Sequence, residues 1–275
     1  MAASEQVVVQ QPSKEQANPE VSQYEKEFGV WSPQTAIDKG WKIMLYGAAG
    51  SGKTYMAGTF PDPIFLDLED GMRSVLALNK KILRFPKDSS VPVTELKQVK
   101  GFYVAVSKIP PSKAPFKTIV IDSLNELQIL VMKNVLSTID TNRIYEDQPT
   151  QGDYGKLARD MQSIVRDFLQ LPYNIVFTAT ATDKEYSDDK VFPKFVGKQT
   201  GPDLRRIIEQ IGYCFTQQKT KDSPIEHMVG FGDCPSYSAK DRTGKLTNPF
   251  RNSYNRMVEL ANGTNQLKES KGTTA

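Results

Sequence analysis

The sequence predicts an α/β fold in which helices flank a mostly parallel central sheet, with antiparallel strands towards the C-terminal end. Between about residues 38 and 210, apolar runs of strand length alternate with longer segments of helical periodicity, an order typical of parallel α/β domains. Beyond residue 210 the pattern changes to short runs separated by Gly and Pro, which is typical of antiparallel strands.

The predicted elements follow one another in a regular order. The first two are a strand in WKIMLYG and a helix in KTYMAGTF, which the following proline ends. The others are a strand at 63–68, a helix beginning in MRSVLAL, a short strand in ILRF, a helix in VTELKQVKGFYVAVSKI, a strand at 117–122, helices in SLNELQILVMKNVLSTI and YGKLARDMQSIVRDFLQL, a strand at 174–180, and antiparallel strands in IGYCFTQ, EHMVGFG and PSYSAKD. Ligands of such sheets bind at the carboxyl ends of the strands.

One domain is predicted over residues 25–261, between polar, disordered tails at 1–24 and 262–275. The chain has 275 residues, of which 39% are hydrophobic and 24% charged, as is ordinary for a globular protein. Three valines at 7–9 interrupt the first tail, and they would either add a strand to a neighbouring copy or remain part of an unstructured tail.

The stretch GAAGSGKT, residues 47–54, has the spacing G-x-x-x-x-G-K-[ST] directly after the first strand. Glycines let backbone N–H groups converge on phosphate oxygens, Lys53 would reach the β- and γ-phosphates, and the Thr54 hydroxyl would bind Mg²⁺. A helix that begins near Gly52 would add its positive end to the site. The predicted nucleotide-binding residues are Gly47, Ala48, Ala49, Gly50, Ser51, Gly52, Lys53, Thr54 and Tyr55.

Acidic residues follow two of the predicted strands. TIVIDS contains Asp122, whose carboxylate would hold Mg²⁺ opposite Thr54, unless it only caps the next helix. FLDLEDG places Asp67, Glu69 and Asp70 on the γ-phosphate side, where a carboxylate can orient and deprotonate the attacking water. A solvated acidic turn is the alternative for this second stretch.

Composition argues against several other classes of protein. His227 is the only histidine, and Cys214 and Cys234, the only cysteines, lack C-x-x-C spacing; zinc sites and Ser-His-Asp or Cys-His catalysis are therefore disfavoured. No apolar run reaches about 18 residues and no signal-peptide pattern is visible, so we expect no membrane contact and a cytoplasmic location. A net charge of +3 leaves a nucleic-acid partner open.

The ordered set of P-loop, FLDLE, IVIDS and IVFTAT resembles the RecA-type recombinase core. Within that group it is most similar to phage-encoded RecA-like ATPases described as phage nucleotide-binding or AAA-type proteins, including the phage single-strand annealing ATPases. The resemblance implies a RecA-like P-loop NTPase fold in which Lys53 and Thr54 bind phosphate and Mg²⁺. It also implies that Glu69 activates the attacking water and that Asp122 is the Walker B aspartate.

Thr180 stands at the sensor position, where RecA-type proteins usually have Gln. Its hydroxyl would reach the γ-phosphate through a water. The resemblance further implies Mg²⁺-dependent ATP hydrolysis on single-stranded DNA in recombination, repair or replication, within the cytoplasm of a bacterial host. It implies a homo-oligomer, ring or filament, with a single-strand DNA-binding protein as a further candidate partner. Two other functions stay open: a strand-annealing protein that uses ATP only as an assembly ligand, and an AAA-type motor or loader that acts on protein.

Lys240 and Arg242 lie two residues apart in SAKDRTGKLTNPF, so that a strand would place both side chains on one face. RecA-type filaments have basic residues in a similar segment, and by that resemblance the two are candidates for a finger that reaches the γ-phosphate of a neighbouring subunit. A hairpin whose charges are solvated is the alternative.

The segment DKEYSDDKVFPKFVGKQTGPDLRR, residues 183–206, follows the sensor strand, where RecA-type proteins have a mobile loop that contacts DNA. Basic side chains would follow the phosphates while aromatic rings stack on bases. Acidic residues between 183 and 189 dilute the charge, and the two phenylalanines alternatively form the core of a small hairpin. The predicted DNA-binding residues are Lys184, Tyr186, Lys190, Phe192, Lys194, Phe195 and Lys198.

Overall fold

The computed structural model describes residues 40–87, 91–138, 141, 143, 145–182 and 190–263. The predicted tail at 1–24 and all of the predicted tail at 262–275 except its first two residues lie outside the described residues. The strands are β1 Lys42–Gly47, β2 Pro63–Asp67, β3 Leu83–Phe85, β4 Thr118–Asp122, β5 Asn174–Thr180, β6 Gln210–Gln217, β7 Glu226–Gly230, β8 Lys240–Asp241 and β9 Phe250–Arg251. The α-helices are α1 Lys53–Thr59, α2 Leu96–Ser107, α3 Leu124–Leu136, α4 Gln151–Gln170, α5 Thr200–Ile207 and α6 Tyr254–Ala261. Met72–Leu78 forms a 3₁₀ helix.

These strands form one sheet in the order β3-β2-β4-β5-β1-β6-β7-β9, with β8 paired to β6. The neighbours from β3 to β6 run parallel, whereas β7, β8 and β9 are antiparallel to their partners. The predicted fold class, an α/β domain with a mostly parallel sheet and antiparallel strands towards the C-terminal end, is confirmed.

Helices cover both faces of the sheet because side chains alternate along each buried strand. In β1, Met44 and Tyr46 join a core beneath α2, α3, α4 and α5, while Ile43 and Leu45 join a second core beneath α1 and α6. Every residue of β1 is buried, as expected for a central parallel strand covered on both sides. No helix among the described residues is both long enough and apolar enough to cross a membrane.

Two predicted elements were wrong in detail. IGYCFTQ was expected to be antiparallel, and β6 is antiparallel to β7 and β8, but on its other side it pairs with β1 in parallel, from Ile43 opposite Gln210 to Tyr46 opposite Tyr213. The helix α5 supplies the crossover that a parallel strand needs, and the antiparallel part begins one strand later. In PSYSAKD, only Lys240–Asp241 is a strand; the preceding residues form a turn closed by the bridge between Cys234 and Tyr237, and Tyr237 also bridges Val191.

Candidate functional site

The P-loop connects the carboxyl end of β1 to α1, as the motif requires. Two of its glycines occupy positions that no other residue fits. A Cβ at Gly47 would collide with the carbonyl oxygen of Cys214, and Gly52 has a φ of +89°, with its Cβ position only 2.7 Å from Nδ2 of Asn252. The sequence therefore needs glycine at both positions for the loop to close.

Lys53 begins α1 and points back into the loop. Its Nζ donates to the carbonyl oxygens of Gly47 at 3.0 Å and Ala48 at 2.9 Å. The ammonium group thus lies within the ring of backbone that the motif predicts for the phosphates. Ala48, Ala49 and Gly50 are exposed at the outer part of this ring.

Thr54 meets the end of β4 at the bottom of the loop. Its hydroxyl donates to Oδ2 of Asp122 at 2.9 Å, and the hydroxyl of Thr178 donates to the other carboxylate oxygen. Asp122 is almost completely buried, and this burial, aided by the charge of Glu69, raises the pKa of its carboxyl to about 6 in spite of the two hydroxyl donors. A bound cation would offset the cost of keeping the carboxylate charged there.

Glu69 follows β2, the neighbour of β4, and its side chain is exposed to solvent. It accepts a hydrogen bond from the Ser123 hydroxyl, next to Asp122. A Cβ at Gly71 would lie 3.5 Å from Oδ2 of Asp122, so this acidic turn passes directly over the Thr54–Asp122 pair. Glu69 is therefore placed where a water beside the phosphates could contact it.

The other two acids of the turn are held by an arginine. Arg84, on β3, donates Nε to Oδ2 of Asp67 at 2.7 Å and Nη2 to Oδ1 of Asp70 at 3.0 Å. Asp67 is fully buried and has no solvent access, whereas Asp70 is largely exposed. Glu69 is the one acid of this turn that is both exposed and beside Asp122.

The residues present fit a Mg²⁺ ion. Mg²⁺ prefers oxygen ligands and is usually held by one or two carboxylates together with substrate phosphates. Thr54 and Asp122 supply a hydroxyl and a carboxylate that already lie in contact. Among the described residues no three His, Cys, Asp or Glu side chains are grouped so as to hold a metal by themselves, and the motif requires no such group.

Sequence reasoning missed two side chains that support the P-loop from the antiparallel strands. Asn252, after β9, donates Nδ2 to the carbonyl oxygen of Gly52 at 2.7 Å. The imidazole of His227, on β7, lies next to the same glycine, with Nδ1 3.1 Å from its Cβ position. Asn252 and Gly52 lie 200 positions apart in the chain, and His227 is also far from Gly52 in sequence, so no local pattern in the sequence indicates either contact.

Thr180 ends β5 directly beside Gly47, with which it pairs in register. Its backbone N–H donates to Oδ1 of Asn125 at 2.7 Å, and Nδ2 of Asn125 donates to the carbonyl oxygen of Lys194 at 2.7 Å. Asn125 lies on α3, two residues after Ser123. The sensor position is therefore tied to the helix that follows Asp122.

Gln128 repeats this connection one turn further along α3. Its side chain donates to the carbonyl oxygen of Val196 and accepts from the N–H of Val196, both at 2.9 Å. We call Asn125 and Gln128 together the α3 clamp. It fixes the backbone of residues 194–196 to α3, although these residues lie almost 70 positions away in the chain.

The segment after β5 returns as a hairpin. Thr182 N–H donates to the carbonyl oxygen of Phe192 at 2.8 Å, and the Lys194 N–H donates to that of Thr180 at 2.8 Å. Arg205 covers the ring of Phe192 at 4.8 Å. The arms of the hairpin are thus ordered by backbone bonds on either side of residues 183–189, which lie outside the described residues.

The predicted DNA-binding residues fall into different environments along this hairpin. Lys184 and Tyr186 lie outside the described residues. Lys190 forms an ion pair with Asp233 at 2.8 Å, and Phe195 is half-buried against the core. Lys194 and Lys198 are exposed.

Lys240 and Arg242 both contact the end of α5, although β8 ends at Asp241 and does not include Arg242. The Nζ of Lys240 donates to the carbonyl oxygens of Arg205, Arg206 and Ile208 at the end of α5, and Arg242 donates to that of Arg206 at 3.4 Å. Since β8 pairs with the first residues of β6, both cations lie at the sheet edge opposite the P-loop. Within its own subunit neither residue contributes to the nucleotide site.

The loop, the lysine and the Thr54–Asp122 pair define a nucleotide-binding site of the P-loop class. Comparison with protein families gives the same class: residues 39–243 match the AAA domain family, to which the chain belongs. ATP binding follows from this family and from the motif, so the protein is a P-loop ATPase by fold and family. A comparison with curated proteins finds no match.

Several solved structures resemble the chain in outline. One is a KaiC-like protein, PH0186, from Pyrococcus horikoshii OT3, with 15% identity, a TM-score of 0.36, and coverage of 68% of this chain and 76% of that one. Another is the flagellar accessory protein FlaH from Methanocaldococcus jannaschii, with 13% identity, a TM-score of 0.37, and coverage of 76% and 82%.

Proposed function

We propose that this protein hydrolyses ATP with the help of Mg²⁺ and acts on single-stranded DNA in the recombination, repair or replication of a phage. The observation that carries the hydrolytic part is the contact between Thr54 and Asp122 at 2.9 Å, with the exposed Glu69 beside it. A site built only to hold a nucleotide would not need an exposed carboxylate over the Mg²⁺ ligands. The DNA part is supported by the exposed lysines of the hairpin after β5 and by the resemblance of the motifs to RecA-type ATPases.

The residues of this chain have separate tasks in the proposed reaction. Backbone N–H groups of the P-loop and the Nζ of Lys53 bind the phosphates, and Thr54 with Asp122 would hold Mg²⁺. When bound, Mg²⁺ neutralises charge on the β- and γ-phosphate oxygens. Glu69 orients the attacking water and accepts its proton, while Ser123 holds the Glu69 carboxylate in place.

The site is proposed to be completed by a second copy of the chain. Lys240 and Arg242 cannot reach their own P-loop from the opposite sheet edge, so a contribution from them requires an oligomer, as a ring or a filament. Their bonds to carbonyl groups of α5 give Lys240 a structural role within the subunit, and Arg242, with one bond of 3.4 Å, is the better candidate for the finger.

Complementation tests the finger. Arg242→Ala protein lacks only the finger and Lys53→Ala protein lacks only the P-loop lysine, so mixed oligomers would contain some intact sites. We expect the mixture to recover part of the activity that each variant lacks alone. Absence of recovery at every mixing ratio would contradict the proposal of a finger that acts between subunits, but it would not contradict the proposed roles of the P-loop residues.

Steady-state ATP hydrolysis, measured with and without Mg²⁺ and single-stranded DNA, tests the proposed function. We expect Mg²⁺-dependent turnover that single-stranded DNA increases and duplex DNA does not. Binding of single strands without turnover would support the annealing protein that uses ATP only for assembly. Turnover without any DNA binding would support the motor or loader that acts on protein.

A further inference from the structure

We propose that single-stranded DNA also binds in a groove on the outer side of α3, away from the phosphate site. The groove lies between α3, the beginning of α4 and residues 194–199. The class of ligand rests on the function proposed above, whereas the place rests on the shape and charge of the groove. The DNA-binding surface would then extend from the hairpin after β5 onto α3 and α4, which contain none of the DNA-binding residues predicted from the sequence.

The groove consists of two neighbouring cavities. One, of about 500 Å³, lies between α3 and residues 194–196, and the other, of about 700 Å³, lies between residues 196–199 and the first turn of α4. Val196 lines both cavities. The walls are largely apolar, and Ile129 and Val196 are 46% and 56% exposed although both are large hydrophobic side chains. Such a surface suits the flat faces of unpaired bases.

Charge makes this groove suitable for a polyanion. Lys133, Lys194 and Lys198 line it, and among the described lining residues none is acidic. A single strand carries one phosphate per nucleotide, and lysines along its path replace the counterions of the backbone. Apolar walls with a lysine rim are the combination by which single strands are held without regard to sequence.

A second groove in the same molecule provides a contrast. It lies between α2 and α4, has a volume of about 430 Å³ and also exposes an aliphatic side chain, Val104. Its lining contains Asp160 and Asp167 together with Lys100. The two aspartates would repel the phosphates of DNA. The two grooves are similar in shape, and it is the charge of the lining that favours DNA binding in the α3 groove.

The α3 groove is also connected to the nucleotide site. Thr180, which pairs with Gly47 of the P-loop, lines the groove together with both residues of the α3 clamp. A strand bound there would therefore touch the backbone segment that the clamp holds. Nucleotide and DNA would thus share α3 and the hairpin as common structural elements.

Two matched double variants test the groove. Ile129 and Lys133 are spaced four residues apart on α3, and Lys100 and Val104 have the same spacing on α2, with Ile129 and Val104 each 46% exposed. We compare Ile129→Ser/Lys133→Gln with Val104→Ser/Lys100→Gln. Fluorescence anisotropy of a labelled oligothymidylate over a series of salt concentrations gives the affinity and its salt dependence, and thermal unfolding and ATP binding confirm that each variant is folded.

We expect the α3 variant to bind the oligothymidylate about ten-fold more weakly and its log–log salt slope to fall by about 0.7, the value for one lost phosphate contact on a single strand. The α2 variant should change the affinity by less than about two-fold. Equal affinities of wild type and α3 variant would overturn the inference and leave the proposed function standing. A loss of self-association in the α3 variant would assign the groove to contacts between copies and would also overturn it. If wild-type protein binds no oligothymidylate, the proposed function fails together with the inference.

Discussion

The P-loop edge of the sheet and the hairpin after β5 lie side by side, since Gly47 pairs with Thr180, yet they are built differently. The loop itself, residues 47–54, is one contiguous stretch whose glycines leave little choice of side chain, although Asp122 and Asn252 contact it from distant parts of the chain. The hairpin is held by side chains that lie 55–69 positions away, on α3. The conformation of the P-loop is therefore determined mainly by its own glycines, whereas the hairpin can shift when α3 shifts.

This difference assigns distinct tasks to the two regions. The P-loop edge is rigid where phosphates bind, because Gly47 and Gly52 tolerate no side chain and Asn252 holds the loop from behind. The hairpin is attached to α3, and α3 begins at the residue after Ser123, which holds Glu69. We therefore expect substitutions at the P-loop edge to abolish chemistry and substitutions in the α3 clamp to weaken communication.

Removal of the P-loop lysine should have the largest effect. Lys53→Ala loses the main positive charge opposite the phosphates, so we expect weaker ATP binding and a decrease in turnover of at least roughly 10²–10³-fold. Calorimetric ATP binding and steady-state hydrolysis measure the two losses. Lys113→Ala, at an exposed position in the loop before β4, is the matched control and should behave like wild type.

Replacement of the proposed base should separate binding from chemistry. Glu69→Gln keeps the shape and the hydrogen bond to Ser123 but cannot accept a proton, so ATP affinity should stay within a few-fold while turnover falls by roughly 10²–10⁴-fold. Asp70→Asn, next in the chain but held by Arg84, should retain most of the activity. Wild-type turnover in Glu69→Gln would transfer the role to another group.

Asp122 should make the stability of the nucleotide-free protein depend on pH. Burial raises the pKa of this carboxyl to about 6, above its value in the unfolded chain, so the folded state binds more protons between about pH 4 and pH 6. Its contribution to the free energy of unfolding therefore decreases as pH rises through that window, by up to about 3 kcal/mol. Urea unfolding at pH 4.5 and pH 7 should show this decrease in wild type relative to Asp122→Asn. Parallel pH profiles of the two proteins would contradict it.

The α3 clamp should give the smallest effect. Asn125→Ala removes two hydrogen bonds that join the hairpin to α3 but no group of the phosphate site. Basal hydrolysis should stay within about two-fold of wild type, while its stimulation by single-stranded DNA should fall by about five-fold, the lower end of typical coupling energies. Asn134→Ala, on the exposed side of the same helix, should leave the stimulation intact.

Much of the P-loop edge was predictable from sequence because each of its pieces is a short contiguous stretch. Strands expected at 63–68, 117–122 and 174–180 are found as β2, β4 and β5, each within one residue of its expected ends. In β2 and β4, Asp67 and Asp122 pair in register, so acidic residues at the two strand ends meet at one edge of the sheet. When a motif has fixed spacing and follows a buried strand, the local sequence is enough to predict most of its geometry.

The parts that could not be predicted depend on distant partners. Nothing near Arg84 in the chain indicates that it holds Asp67 and Asp70, and Asn125 and Gln128 are ordinary polar residues of an amphipathic helix until residues 194–196 are folded against them. The direction of β6 depends on whether α5 carries the chain back across the sheet, which short apolar runs do not reveal. Hydrophobic periodicity and composition determine which segments become helices and strands, whereas contacts between residues distant in the chain determine strand direction and the partners of these side chains.

In the function proposed here, one chain couples an ATP site to a single-stranded DNA site. The most direct test is reciprocal binding with a hydrolysis-resistant ATP analogue: the affinity for labelled oligothymidylate with and without the analogue, and the affinity for the analogue with and without oligothymidylate. Linkage requires the analogue to change the affinity for oligothymidylate by the same factor by which oligothymidylate changes the affinity for the analogue. The proposed coupling predicts that this factor exceeds about five in wild type and falls towards one in Asn125→Ala. An affinity for oligothymidylate that is the same with and without the analogue would contradict the claim.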